Sequence, residues 1–153
     1  MNPFERLSVE AKRALTLAQD EATRVPSRYL GTEHLLLGLL GVEGCLGAMV
    51  LAEADVDLAT ARAAIDAVPR RPEGHEITRD RVPTSRVRRV IELAFQEALR
   101  TQQSVVTTGT MLVGLLLEVD GLASHVLRER GVTVDGVREA LARLAETGVD
   151  ETL

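Results

Sequence analysis

The chain has 153 residues, 45% of them hydrophobic and 27% charged, with a net charge of -5. That is the length of one domain or two very small ones, and it can bury roughly 70% of its unfolded surface without a covalent staple. Three aromatics (Phe4, Tyr29 and Phe95) and the acidic balance exclude base-stacking platforms and a general grip on phosphate backbones. A single cysteine, Cys45, excludes an intramolecular disulfide and a cysteine-based zinc site. The longest apolar runs, Leu35–Leu40 and Met111–Leu117, fall far short of a membrane span, and no basic segment followed by an apolar core opens the chain. The expectation is a soluble protein of a reducing, cytoplasmic compartment, with no cofactor, no metal, and neither nucleic acid nor membrane as partner.

Taken in chain order, the first helix is predicted to start at Ser8 as its cap. Thr32 caps a second helix of about two to three turns, Gly44 opens a third that ends near Ala54, and Asp57 caps a fourth. The stretch Pro69–Pro83, PRRPEGHEITRDRVP, has no apolar period and reads as a linker. The series then repeats. Ser85 caps a helix whose Val87, Val90, Ile91, Ala94, Phe95 and Ala98 form one buried stripe. Thr108 caps the next, Gly121 opens one ending near Arg130, and Thr133 caps the last, where Val134, Val137, Leu141 and Leu144 keep helical spacing. No segment alternates with period two, so no sheet is expected.

The recurrence is a duplication. Displacing the chain by 76 positions aligns Leu7–Ile65 with Pro83–Leu141 without a gap, and 18 of the 59 pairs are identical. Chance for ordinary composition is about 5–8%. Leu36, Gly38, Leu39 and Leu40 fall on Leu112, Gly114, Leu115 and Leu116. The organisation predicted is a single domain of repeat 1 over 4–68, linker 69–83, repeat 2 over 84–146 and a tail 147–153. Units this small bury too little surface alone, so the halves are expected to share a core.

Enzymatic chemistry finds no support. There is no G-x-x-x-x-G-K-[ST] loop for a triphosphate, and Gly41, Gly44 and Gly47 follow a helix and read as a turn. His34, His75 and His125 lie on a helix start, in the linker and in a helix of repeat 2, with no metal-ligand spacing. Packing or capping duty accounts for His34. Cys45 beside a helix N-terminus is a candidate for a lowered pKa, but it lacks a base partner and reads as a small core residue. Thr32–Glu33 has two readings. A capping threonine and an exposed first-turn glutamate that complements the helix dipole are structurally sufficient. The same geometry offers N–H donors to an anion and a carboxylate to a guanidinium.

Tyr29–Leu40, YLGTEHLLLGLL, closely resembles the signature of the Clp N-terminal repeat domain found at the front of ClpC-type AAA+ unfoldases. FERLSVEAKRALTLAQDEA from Phe4, the helix from Ser85 and VLRERGVTVDGVREAL are similar to further parts of that domain. The resemblance implies an all-α, eight-helix bundle of two pseudo-twofold-related four-helix repeats. Its implied role is non-catalytic: recruiting protein substrates, adaptor proteins or peptide-like ligands, phosphoarginine among them, to a Clp ATPase. Thr32 and Glu33 are the implied ligand residues in repeat 1. In repeat 2 Gly109 and Thr110 replace the glutamate and histidine of the motif, leaving Thr107 and Thr108 as a vestige. Phe4, Arg88 and Arg89 are the expected peptide or adaptor surface. No ATPase module lies within these 153 residues; the domain is expected to be either cut from a longer chain or free-standing, and a free-standing copy would compete with the unfoldase's own domain as a decoy or regulator. The alternative is a degenerate docking module that binds only the unfoldase ring or itself; a helical DNA-binding regulator fits the acidic balance less well.

Overall fold

The computed structural model describes residues 2–23, 29–68 and 82–153. Most of the expected linker, with His75, lies outside them. A 3-10 turn at Pro3–Arg6 precedes α1 (Val9–Thr23), α2 (Thr32–Leu40), α3 (Leu46–Glu53) and α4 (Leu58–Ala67). The second series is α5 (Ser85–Arg100), α6 (Thr108–Leu117), α7 (Leu122–Glu129) and α8 (Val134–Glu146). Among the described residues the eight helices match the expected all-α bundle. Among the described residues, extended contacts amount to one two-residue pairing and one isolated bridge. β1 (Tyr29–Leu30) runs parallel to β2 (Val82–Pro83), and Leu7 bridges Val106 in the same sense.

Local capping chemistry sets most helix starts. Ser8 Oγ accepts the Ala11 amide at 2.9 Å, Asp57 accepts from Thr60 at 2.7 Å and Thr133 from Gly136 at 3.0 Å. Four expected starts move by one residue. Thr84 rather than Ser85 caps α5, and Cys45 rather than Gly44 caps α3, its Sγ accepting from the Ala48 amide. Thr32 and Thr108 are the first helical residues, with Gly31 and Thr107 as caps. The physical reason is that His34 Nδ1 accepts the Gly31 amide at 3.0 Å, and Thr107 and Thr110 bond each other reciprocally. The hydroxyls of Thr32 and Thr108 are thereby released for other partners.

α2 and α6 are apolar on every side and lie at the centre, as helices of that composition must. α1 packs on α2 and α5 on α6 through the same close crossing. A Cβ at Gly38 would stand 2.2 Å from the Ala14 carbonyl oxygen, and one at Gly114 would stand 2.5 Å from that of Val90. Only glycine lets these backbones approach so closely. Each half also carries the same ion pair between its first and fourth helices, Arg62 with Glu21 and Arg138 with Glu97. One buried cluster runs from Leu7 to Ala140 and takes side chains from both halves, so the core is shared as expected.

Candidate functional site

The pseudo-twofold arrangement puts the N-terminus of each central helix against the N-terminus of a third helix from the other half. Thr32 Oγ1, at the start of α2, accepts the Ala123 amide at the start of α7 at 3.2 Å. Thr108 Oγ1, at the start of α6, accepts the Gly47 amide at the start of α3 at 2.9 Å. Each apposition gathers the orphan amides and positive ends of two helices in one place. At the first, Gly121 is required: a Cβ there would lie 2.9 Å from Thr32 Oγ1.

Glu33 is only 5% exposed, which corrects the expectation of an exposed first-turn residue. Its side chain folds back over its own helix cap. Oε1 occupies the space that a Cβ at Gly31 would need, 2.2 Å away, and the half-exposed ring of Tyr29 borders the same spot. Gly31 is thus what lets the carboxylate turn inward. Beside it the buried His34 caps the helix and lies 6.1 Å, centroid to centroid, from the tilted Tyr29 ring. Capping is the role expected for it.

The second apposition differs. Gly109 brings no side chain, and the tip of Leu141 lies 2.5 Å from where its Cβ would be. A carboxylate is nevertheless present, from the stretch after α8. Glu151 is 4% exposed and receives four hydrogen bonds. The donors are Ser8 Oγ at 2.8 Å, the Leu46 amide at 2.8 Å, the Thr108 amide at 2.7 Å and the Thr108 hydroxyl. Sequence reasoning missed Glu151 altogether, because a lone glutamate in the short stretch after α8 carries no motif and no period. Thr107 is buried as the α6 cap.

Cys45 borders this second seat. Burial pushes its thiol pKa up, the neighbouring Glu151 carboxylate adds to that, and hydrogen bonds with Thr108 and the Ala48 and Gly47 amides oppose it without prevailing. The candidate for a lowered pKa is therefore corrected, and capping and packing describe this residue. Phe4, Arg88 and Arg89 all reach the surface, and the 3-10 turn that carries Phe4 packs beside α5, which carries both arginines. Arg89 is committed in part, with Nε 3.3 Å from Oε2 of the buried Glu118. No single helix among the described residues is long and apolar enough to cross a membrane.

Comparison with known proteins agrees with this architecture. The profile of the Clp repeat (R) N-terminal domain matches residues 6–129 and 82–152. A protein named ATP-dependent Clp protease ATP-binding subunit ClpA homolog, from Porphyra purpurea, is 35% identical over 94% of this chain but 17% of its own length. The rice (Oryza sativa subsp. japonica) chloroplastic chaperone protein ClpC1 is 33% identical over 92% of this chain and 15% of its own. The chain thus spans about one sixth of the length of these relatives. The N-terminal domain of the ClpD chaperone from Arabidopsis thaliana superposes with a TM-score of 0.73 at 25% identity, covering 94% of this chain and 96% of that one. The Hsp104 N-terminal domain from Candida albicans, at 15% identity and a TM-score of 0.67, covers 91% of both chains and shares the fold. A duplicated four-helix unit and a family profile that matches both copies lead to one assignment: the chain belongs to the Clp repeat N-terminal domain family.

Proposed function

We propose that this chain is a non-catalytic recognition domain that presents protein substrates or adaptors to a Clp-type unfoldase. We place the ligand residues at Thr32 and Glu33, where a phosphorylated guanidinium group of a protein partner is the best chemical fit. The observation that supports this reading is the meeting of the α2 and α7 N-termini at Thr32, beside the inward-turned Glu33 carboxylate. Two helix N-termini favour an anion. A carboxylate favours a guanidinium, which it can bind in bidentate fashion. Phosphoarginine carries both groups a few atoms apart. Repeat 2 offers no equivalent, because Gly109 supplies no carboxylate and Glu151 already fills its anion seat. Phe4, Arg88 and Arg89 then serve as a flanking surface for the rest of the peptide.

Calorimetric titration of phosphoarginine into the wild type and Glu33→Gln tests this. One site is expected in the wild type. The variant should bind about one to two decades more weakly, from loss of a charge-assisted hydrogen bond, while helicity by circular dichroism stays the same. Two equivalent sites would refute the asymmetry between repeats. No heat of binding would remove the ligand and leave recognition through the Phe4 surface.

A further inference from the structure

We propose that the segment Val149–Leu153 is a built-in occupant of an anion seat in repeat 2, and that an extended acidic peptide from a partner takes this seat when the segment withdraws. The proposal does not rest on the phosphoguanidinium reading of Thr32 and Glu33. Three helix starts converge on one carboxylate. Ser8 is the cap of α1, Leu46 the first residue of α3 and Thr108 the first of α6, and all four of their donors point at Glu151. Ser8 and Thr108 are fully buried, and Glu151 nearly so. The occupant's backbone takes part as well, since the Val9 amide, next in α1, donates to the Thr152 carbonyl at 2.9 Å.

Two features mark the segment as an insert rather than part of the bundle. It has no regular secondary structure, and it follows Gly148, whose φ of +83° ends the run of α8. The residues around Glu151 are exposed or half-exposed, so beyond the Val149 amide, which donates to the Leu144 carbonyl of α8 at 3.2 Å, the segment is fastened by one side chain and the Thr152 carbonyl. The seat, by contrast, is made of helix ends fixed by the shared core. An extended peptide that presents a glutamate between small or polar neighbours reproduces the contacts that Glu151 and the Thr152 carbonyl make with the three helix starts. A tethered occupant acts at an effective concentration of about millimolar, so the wild type should exclude such a peptide until the tether yields.

The test uses the full chain and a synthetic peptide of Gly148–Leu153, GVDETL, followed through the amide resonances of Leu46 and Thr108. In the wild type, peptide at about 0.02 mM, far below the effective concentration of the tethered segment, should leave both resonances in place. In Glu151→Ala the same peptide should shift both, with at least tenfold tighter apparent binding than in the wild type. A peptide with glutamine in place of its glutamate should lose about one to two decades. The proposal is overturned by absence of a shift in folded Glu151→Ala, by equal binding to both proteins, by equal binding of the glutamine peptide, or by shifts confined to Thr32 and Leu122. Hydrogen exchange on the unaltered chain gives an independent reading should that variant not fold. The Leu46 and Thr108 amides should exchange at least a hundredfold faster than those of Leu36 and Leu112, through local release of the segment. Exchange of all four only by global unfolding would show a fixed staple and overturn the proposal.

Discussion

Glu97 shows how a single side chain ties one element to another. Its buried carboxylate accepts two hydrogen bonds from Arg100 and two from Arg138, joining α5 to α8. Burial is the largest influence on its pKa and acts upward, but the two guanidinium groups together outweigh it and hold the group below its ordinary 4.5. A lowered carboxylate pKa stabilises the fold above the unfolded value and ceases to do so as pH falls through the folded value. Glu97→Gln should therefore cost about 1–3 kcal/mol at neutral pH, nearer the hydrogen-bond range than that of a fully buried pair because both arginines reach solvent. The gap between wild type and variant should close as pH drops below about 4.5. Urea denaturation of both proteins from pH 7 down to pH 3 checks this, and a gap that stays constant would refute the assignment.

At the scale of elements, the two central helices depend on Gly38 and Gly114. Alanine is the better helix former by about 1 kcal/mol, so propensity alone predicts that Gly→Ala stabilises α2 and α6. The contact geometry predicts the reverse. The added methyl at Gly38 would meet the Ala14 carbonyl oxygen and the Ala18 nitrogen, both of them backbone atoms that cannot rotate away. Overpacking of that kind costs about 1–3 kcal/mol or more, and it wins over propensity because the helices must separate along their length. Gly38→Ala and Gly114→Ala should each lower the thermal midpoint, by similar amounts, since the second crossing is the same with Val90 and Ala94 in place of Ala14 and Ala18. Alanine at Gly109 is a useful contrast. There the added methyl meets the flexible tip of Leu141, and the loss should be smaller.

At the scale of the molecule, the halves exchange their most local interactions. The Ser8 amide donates to the Val106 carbonyl at 2.8 Å and the Thr84 amide to the Leu30 carbonyl at 3.1 Å, so each half starts its first helix on a carbonyl of the other. Thr32 satisfies an amide of α7 and Thr108 one of α3. Neither repeat alone can satisfy its own helix ends or cover its central helix. Thermal unfolding followed by calorimetry and by circular dichroism should give one coincident transition. A fragment of residues 1–72 should lack a cooperative melt, and a sharp one would show that the first repeat is an independent domain.

What the sequence determined alone is what depends on near neighbours. The period of 76 residues, the helical class and the caps at Ser8, Asp57 and Thr133 are legible because capping and amphipathic spacing act within a turn or two. Tertiary structure decided the rest. Thr32 and Thr108 each read as an ordinary cap, yet their hydroxyls serve amides 91 and 61 positions away, an assignment that exists only once the pseudo-twofold packing sets those helix ends face to face. Glu33 is buried because Gly31 leaves room for it to turn inward. Glu151 reaches Ser8 across 143 positions and Thr108 across 43. Nothing local marks that glutamate, because the seat it fills belongs to three helices that meet only in the folded chain.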